Sequence, residues 1–390
     1  MLSIIKWIIF IFLFTAFFLT LINIIYKQYN QWCDKTVDNL SFVFNCYNSI
    51  SYDNIDIESN SLLGDYYIMG SAKSYQLGGN TGSIPSYTAI KNVINKGCRC
   101  IELDIHSSSN NKPIIKGLIP SVCIEEPLEF LKCCDIINDN AFKHNYPFIV
   151  LLNIYTDNKI CLDNLGNYIQ QSFQNKLLNK KYGNNNVNPY TININDCLNK
   201  IIFIVDISNS NIKSDSLTNS IIFNKYINGF INNSSDLNNS NLEINIINMS
   251  ENSSLLSSYQ SSNKNNSTNT LNDLIYFNKQ FISICKPKII DSVTNEIIQK
   301  DDLFNFDTYQ SRLFGCQISL LYFNKYDSHL HNYMNFFKNK PFILKPKCLR
   351  YNPQPLPKIV EQNKDLSFAL RKLKSVKGAN NLNFNRNNMY

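Results

Sequence analysis

The chain has 390 residues, 44% of them hydrophobic and 17% charged, with a formal charge of +7. That length holds one large domain or two smaller ones, and that balance excludes an intrinsically disordered chain. The modest basic excess suits an anionic membrane surface or a phosphate-bearing ligand, while no clustering of arginine with aromatics argues for a nucleic-acid partner.

The first element is a membrane segment. Trp7 to Tyr26 runs for about 20 residues without a charge, the length that spans a bilayer. A cleaved signal would have a shorter apolar core and a small-residue cleavage site, so an uncleaved anchor over residues 1–26 is expected. Lys6 lies on one side of it, Lys27 and Lys35 on the other, and this slight excess after the segment favours a single-pass protein with a cytoplasm-facing body.

Residues 27–62 read as a polar connector, and a first compact block follows over 63–208. Residues 209–273 are rich in Asn and Ser, as in Asn232-Asn233-Ser234-Ser235, and are expected to form a disordered linker, because such a run buries too little apolar surface to offset the entropy of ordering. A second block covers 274–351, and a polar, basic tail covers 352–390. In that tail Phe368, Leu370, Arg371, Lys372, Lys374 and Lys377 form a patch that suits an anionic membrane, with a solvated tail as the alternative. Twelve cysteines are present, but no CxxC pairs recur with zinc spacing, which speaks against a structural metal. Cys133-Cys134 is expected on a helix, reduced.

Short apolar runs bounded by turn residues mark eight candidate strands: Tyr66–Gly70, Cys98–Asp104, Pro113–Gly117, Pro147–Asn153, Ile201–Asp206, Phe281–Cys285, Gly315–Phe323 and Pro341–Lys345. Helical patterns fit between several of them, at Ser86–Lys96, Pro127–Asn138 and Leu162–Lys176. Eight strands alternating with helices predict a (β/α)₈ barrel, whose sites lie at the C-terminal ends of the strands. The second strand ends there on Glu102 and Asp104. At i, i+2 both carboxylates point to one face, an arrangement that is costly unless a cation or ligand neutralises it.

These residues carry a family resemblance. Asp65 to Tyr75 (DYYIMGSAKSY) resembles the YFI-x-SSHNTY stretch of eukaryotic phosphoinositide-specific phospholipase C. Gly97 to Asp104 (GCRCIELD) is similar to GCRCVELD, Pro113 to Gly117 to PII-YHGHT with one residue deleted, and Tyr146 to Asn153 to YPVILSLEN. In the second block Phe314 to Gln317 resembles VGCQ, and Phe342 to Pro346 resembles GYLLKPE. The linker falls where that family carries its variable insert between the X and Y halves.

The resemblance implies a site in which two histidines do acid/base work and a calcium ion is held by an Asn, the Glu and Asp of VELD, and a later Glu. Here the histidine positions fall at Ala72 and Leu118, neither of which transfers a proton. The calcium positions fall at Lys73, Glu102, Asp104 and Asn153. If Lys73 lies across from the two carboxylates its ammonium takes the metal's place, against the plainer reading of a solvated side chain, so no cofactor is expected unless this residual set still binds calcium. His106 is the candidate substitute for a lost histidine, against the plainer reading of an incidental loop residue. Lys116 is a candidate phosphate contact, against that of a solvated side chain. Phe281 to Pro287 resembles FSRIYPK with Ser283 and Cys285 where Arg and Tyr would stand, which removes a forked phosphate contact.

The reading favoured by these losses is a membrane-anchored, catalytically inactive phospholipase C-like protein that binds or scaffolds at a membrane, with lipid as partner, phosphoinositide included. Two alternatives stay open: a divergent phosphoric diester hydrolase, and a structural membrane or virion protein.

Overall fold

The computed structural model describes residues 2–45, 58, 60–77, 84–116, 127–182, 187–206, 220–231, 244–249, 254–262, 270–288, 304–338 and 340–352. Leu118, residues 46–57 and 59 of the connector, and the basic patch of the tail lie outside these residues. Helix α1 spans Leu2–Asn45, so it runs on past the predicted anchor into the stretch read as connector. Its segment Ile9–Gln28 is long and apolar enough to cross a membrane, with none of it buried against the protein.

Alternation within each strand builds the barrel. In the strand Phe148–Ile154, Phe148, Val150, Leu152 and Ile154 join the apolar layer under the helices, whereas Ile149 and Leu151 join a separate cluster with Ile68, Ile202, Ile284 and Ile318. Strands with both faces apolar belong in a parallel sheet covered by helices. Eight such strands occur in chain order: β1 (Tyr66–Ala72), β2 (Cys100–Ser107), β3 (Phe148–Ile154), β4 (Ile201–Asp206), β5 (Gly229–Ile231), β6 (Asn245–Met249), β7 (Ser283–Pro287) and β8 (Ile318–Tyr322). Their spatial order is β6-β7-β8-β1-β2-β3-β4-β5, all parallel, so the two ends of the path are consecutive in the chain and the sheet is a nearly closed barrel. Register places Ile68, Ile318, Ile284 and Ile246 on one level, a layer of branched side chains filling the lumen.

Helices return the chain between strands near the predicted places. Predicted Ser86–Lys96 is Tyr87–Asn95, with the Ser86 hydroxyl accepting from Thr88 N at 3.1 Å as the N-cap. Predicted Leu162–Lys176 is Lys159–Phe173, moved upstream because Asn158 caps Ile160 N and Cys161 N. Predicted Pro127–Asn138 is Phe130–Asn140; it carries Cys133 and Cys134, both buried and unpaired.

Two predicted barrel strands are not staves of the barrel. Pro113–Ile115 folds back antiparallel on the end of β2, pairing Ile115 with Ile105, because the turn from Ser107 is far too short for a parallel crossover. Phe342–Leu344 runs antiparallel to the start of β1, pairing Leu344 with Tyr66. From Ile68 onward β1 pairs with β8, and from Gly70 with β2, so this last segment takes the edge that remains.

The true fifth and sixth strands lie inside the stretch expected to be disordered linker. Gly229–Ile231 and Asn245–Met249 are short, and asparagines interrupt their apolar pattern. Ile244 and Ile246 nevertheless face the lumen cluster while Ile247 and Met249 face the helices. That burial offsets the weak strand preference of asparagine.

Candidate active site at the barrel mouth

At the C-terminal ends of the strands the lumen turns from apolar to charged. On β2, Ile101, Leu103 and Ile105 pack outward, so Glu102 and Asp104 project inward, where they are 1% and 0% exposed. Register sets Asp104 opposite Asn153 on β3, and Asn153 opposite Asp206 on β4, making one polar layer.

The chain leaves β1 at Ala72 and enters a turn in which Lys73 takes a left-handed backbone conformation, φ 41°. That conformation is unfavourable for a residue with a side chain, and three contacts hold it. Lys73 N donates to Glu102 Oε2 at 3.0 Å, Ser74 N donates to the Glu102 carbonyl at 3.1 Å, and Glu102 N donates to Ser74 Oγ at 3.1 Å. The turn is thereby clamped onto β2, and the lysine side chain lies in the mouth.

There Lys73 Nζ sits 2.5 Å from Asp104 Oδ2, which also accepts from the Tyr75 hydroxyl at 2.8 Å. Asn153 Nδ2 donates to Glu102 Oε1 at 2.9 Å and to Asp104 Oδ1 at 2.7 Å, tying the carboxylates together. A second ammonium enters from β7: Lys286 Nζ lies 2.7 Å from Asp206 Oδ2 and 3.6 Å from Glu102 Oε1. Both lysines are 4% exposed.

Electrostatics follow from this pairing. Burial pushes the Glu102 carboxyl upward, but Lys73 and Lys286, with the hydrogen bonds from Asn153 and Lys73 N, hold it below the ordinary range. Burial pulls the Lys73 ammonium down, yet Asp104 and Glu102 outweigh it and the group stays charged far up the pH scale. Asp206 and Glu102 do the same for Lys286. The Tyr75 hydroxyl is raised well above its usual value, by burial first and by Asp104 second, and remains a donor.

The other candidates fall outside this network. Ala72 is buried at the end of β1, pairing with Tyr322. His106, two residues beyond Asp104, lies flat against Tyr155, ring centroids 4.9 Å apart and planes 6° from parallel. Its Nε2 is buried without a hydrogen-bond partner, and burial lowers its proton affinity despite the nearby Asp104. Lys116 is exposed just past Pro113–Ile115 and joins no ion pair among the described residues. Ser283 and Cys285 do not face the mouth: Cys285 packs outward, Ser283 shares its parity, and the inward residue of β7 at this level is Lys286.

Asp206, Lys286 and Tyr75 belong to the site and were not singled out from the sequence. Asp206 had a signal of its own, a carboxylate closing the strand-like run Ile201–Asp206 just as Asp104 closes its run. Lys286 had none, because its partners are far away in the chain.

A calcium ion asks for six to eight oxygen ligands. Here each of the three carboxylates is taken up by an ammonium, and Asn153 turns its NH₂ group, not its carbonyl, toward two of them. Among the described residues no group of three or more His, Cys, Asp or Glu side chains is placed to hold a metal ion. The residues present do not fit calcium.

Comparison with known proteins agrees with the motifs. Residues 59–206 match the family described as phosphatidylinositol-specific phospholipase C, X domain. The chain is 32% identical over 93 residues to 1-phosphatidylinositol 4,5-bisphosphate phosphodiesterase 1 of Saccharomyces cerevisiae, covering 24% of this chain and 10% of that protein. It is 38% identical over 80 residues to 1-phosphatidylinositol 4,5-bisphosphate phosphodiesterase gamma-2 of Rattus norvegicus, covering 20% and 6%. The chain thus spans a small part of the length of these relatives. Its fold is similar to the crystal structure of L. pealei PLC21, with a TM-score of 0.57 and 19% identity over 76% of this chain and 39% of that one. S. officinalis PLC21 is matched at 0.56 and 19%, over 78% and 39%. With the X-region motifs in order on successive barrel strands, residues 59–206 are similar throughout to the X domain of phosphatidylinositol-specific phospholipase C.

Proposed function

We propose that this protein is a membrane-held, calcium-independent member of that family that has lost hydrolysis and serves as a binding or scaffolding module at a lipid surface. One observation carries the reading. The family's proton-transfer position, at the end of β1, holds the methyl group of Ala72, and the titratable groups beside it are consumed in a lysine–carboxylate network. Attack of an inositol hydroxyl on phosphorus needs a base poised near neutral pH. Lys73 and Lys286 are held protonated and Glu102 is held as a paired anion, so none of the three is poised that way. The apolar helix α1 supports attachment to a membrane, and the relatives' names point to phosphoinositide as the lipid class to test.

The experiment is an assay of the detergent-solubilised full chain for soluble inositol phosphate released from phosphatidylinositol and its bisphosphate, in calcium and in chelator. No release above buffer is expected in either condition. Saturable binding of the soluble inositol trisphosphate headgroup, measured by calorimetry, is the companion result expected of a binding module. Release that vanishes in Glu102→Gln overturns inactivity.

A second reading, a divergent phosphodiesterase, is favoured by one feature: the neutral, unpartnered Nε2 of His106 near the mouth. If it holds, turnover is present and disappears in His106→Ala.

A further inference from the structure

The misfit with calcium has a constructive side. We infer that Lys73 and Lys286 act together as a resident double cation: two side-chain ammonium groups, brought in from different strands, do the charge-neutralising work of a divalent ion at Glu102, Asp104 and Asp206. The inference deepens the calcium-independent reading above and rests on it.

The two lysines divide the task. Lys73, from the turn after β1, takes Oδ2 of Asp104 together with Tyr75, and its backbone N–H holds Glu102. Lys286 comes from β7, three places from β2 in one direction around the barrel and three from β4 in the other. Its side chain crosses the lumen to reach Glu102 and Asp206. A compact divalent ion meets several oxygens at one point, whereas each ammonium has three donors and a long stem, so two of them cover three spread carboxylates. Lys286 also links sequence-distant parts of the barrel, since Asp206 and Lys286 are 80 residues apart.

A counter-ion fixed by covalent bonds cannot be removed by chelation. Deleting either lysine leaves a buried carboxylate without its partner, an expensive state, and creates a demand for an external cation. The carbonyl oxygen of Asn153, buried and without a partner beside the same carboxylates, is available to that cation as a further ligand.

The test is thermal unfolding of the full chain in detergent, with millimolar calcium chloride or with chelator, for wild type, Lys73→Met, Lys286→Met and Lys286→Arg. Wild type is expected to melt at the same temperature in both. Each methionine variant is expected to lose roughly 5–10 °C in chelator and to recover at least half of it in calcium. Lys286→Arg keeps a cation and is expected to stay calcium-insensitive. Calcium stabilisation of the wild type overturns the inference, as does a Lys286→Met variant that melts like wild type in chelator. So does a loss of stability that calcium does not repair. Should a methionine variant fail to fold in chelator, refolding in calcium supports the inference and failure in both opposes it. Melting is blind to turnover: hydrolysis in chelator would overturn inactivity and leave the lysine pair standing, whereas a calcium-stabilised wild type would do the reverse.

Discussion

The two ends of the barrel bury lysine in opposite ways. At the mouth, Lys73 and Lys286 are buried against carboxylates, and both are held protonated above the usual lysine range. At the base, Lys345 is fully buried just after the antiparallel strand Phe342–Leu344, and burial pushes it down to about 7. Its ammonium donates to the Asn278 carbonyl at 3.2 Å and lies 5.5 Å from the Tyr190 ring centre. A carboxylate is close by, but Asp65 is already served by neutral donors: the Tyr190 hydroxyl at 2.8 Å, Leu62 N at 3.0 Å and Tyr351 N at 3.2 Å. Burial is common to both ends. The difference lies in whether the carboxylate spends its lone pairs on lysine or on something else.

This comparison breaks most sharply at Asp104. Asp104→Ala removes the partner of Lys73 and two further hydrogen bonds, and is expected to cost about 3–5 kcal/mol in urea unfolding. A loss under about 1 kcal/mol, the scale of an exposed ion pair, would mean that the mouth lysines are no better served than the base lysine.

The base lysine should answer in the opposite direction. A folded pKa near 7 against an ordinary 10.5 means that the unfolded chain binds the proton more tightly between those values. Stability then rises with pH across that window, and the penalty is complete below it. Lys345→Met is therefore expected to stabilise the protein by a few kcal/mol at pH 7, because each pH step of one between the two values contributes on the order of 1.4 kcal/mol. The gain should fade toward pH 10.5. The Asn278 carbonyl keeps its donor from Gln317 Nε2 at 2.9 Å, so the variant leaves no orphaned acceptor. A gain that does not vary with pH would show that packing, not charge, is responsible.

Smaller effects sharpen the picture at the mouth. Tyr75→Phe deletes one donor to Asp104 while Lys73 and Asn153 remain, so a loss of about 1–2 kcal/mol is expected. His106→Ala removes a ring that stacks on Tyr155 without joining the ion-pair network, and melting should change by little more than about 1 kcal/mol.

How much of this was written in the chain depended on distance along it. Continuous apolar runs such as Pro147–Asn153 and Ile201–Asp206 announced buried parallel strands, and β3 and β4 occupy them. The i, i+2 carboxylates of β2 were visible as a local pattern, and Lys73 in the turn after β1 drew notice only through the family resemblance. Strands β5 and β6 were hidden because asparagine fills their flanks and tertiary burial, not propensity, makes them strands. The Pro113–Ile115 and Phe342–Leu344 runs look like barrel strands in composition; only their connections and the edges left free decide that they pair antiparallel. Lys286 with Asp206 is a contact made by barrel closure, which no local pattern encodes.

The lysine-filled mouth can be looked at directly. Crystals of the full chain grown in terbium, a calcium mimic with strong anomalous scattering, would reveal any metal between Glu102, Asp104 and Asn153. No anomalous peak is expected there, with Lys73 Nζ still against Asp104 and Lys286 Nζ against Asp206. A peak at that position, with either ammonium swung away from its carboxylate, would contradict the reading of this barrel as one that carries its own cations.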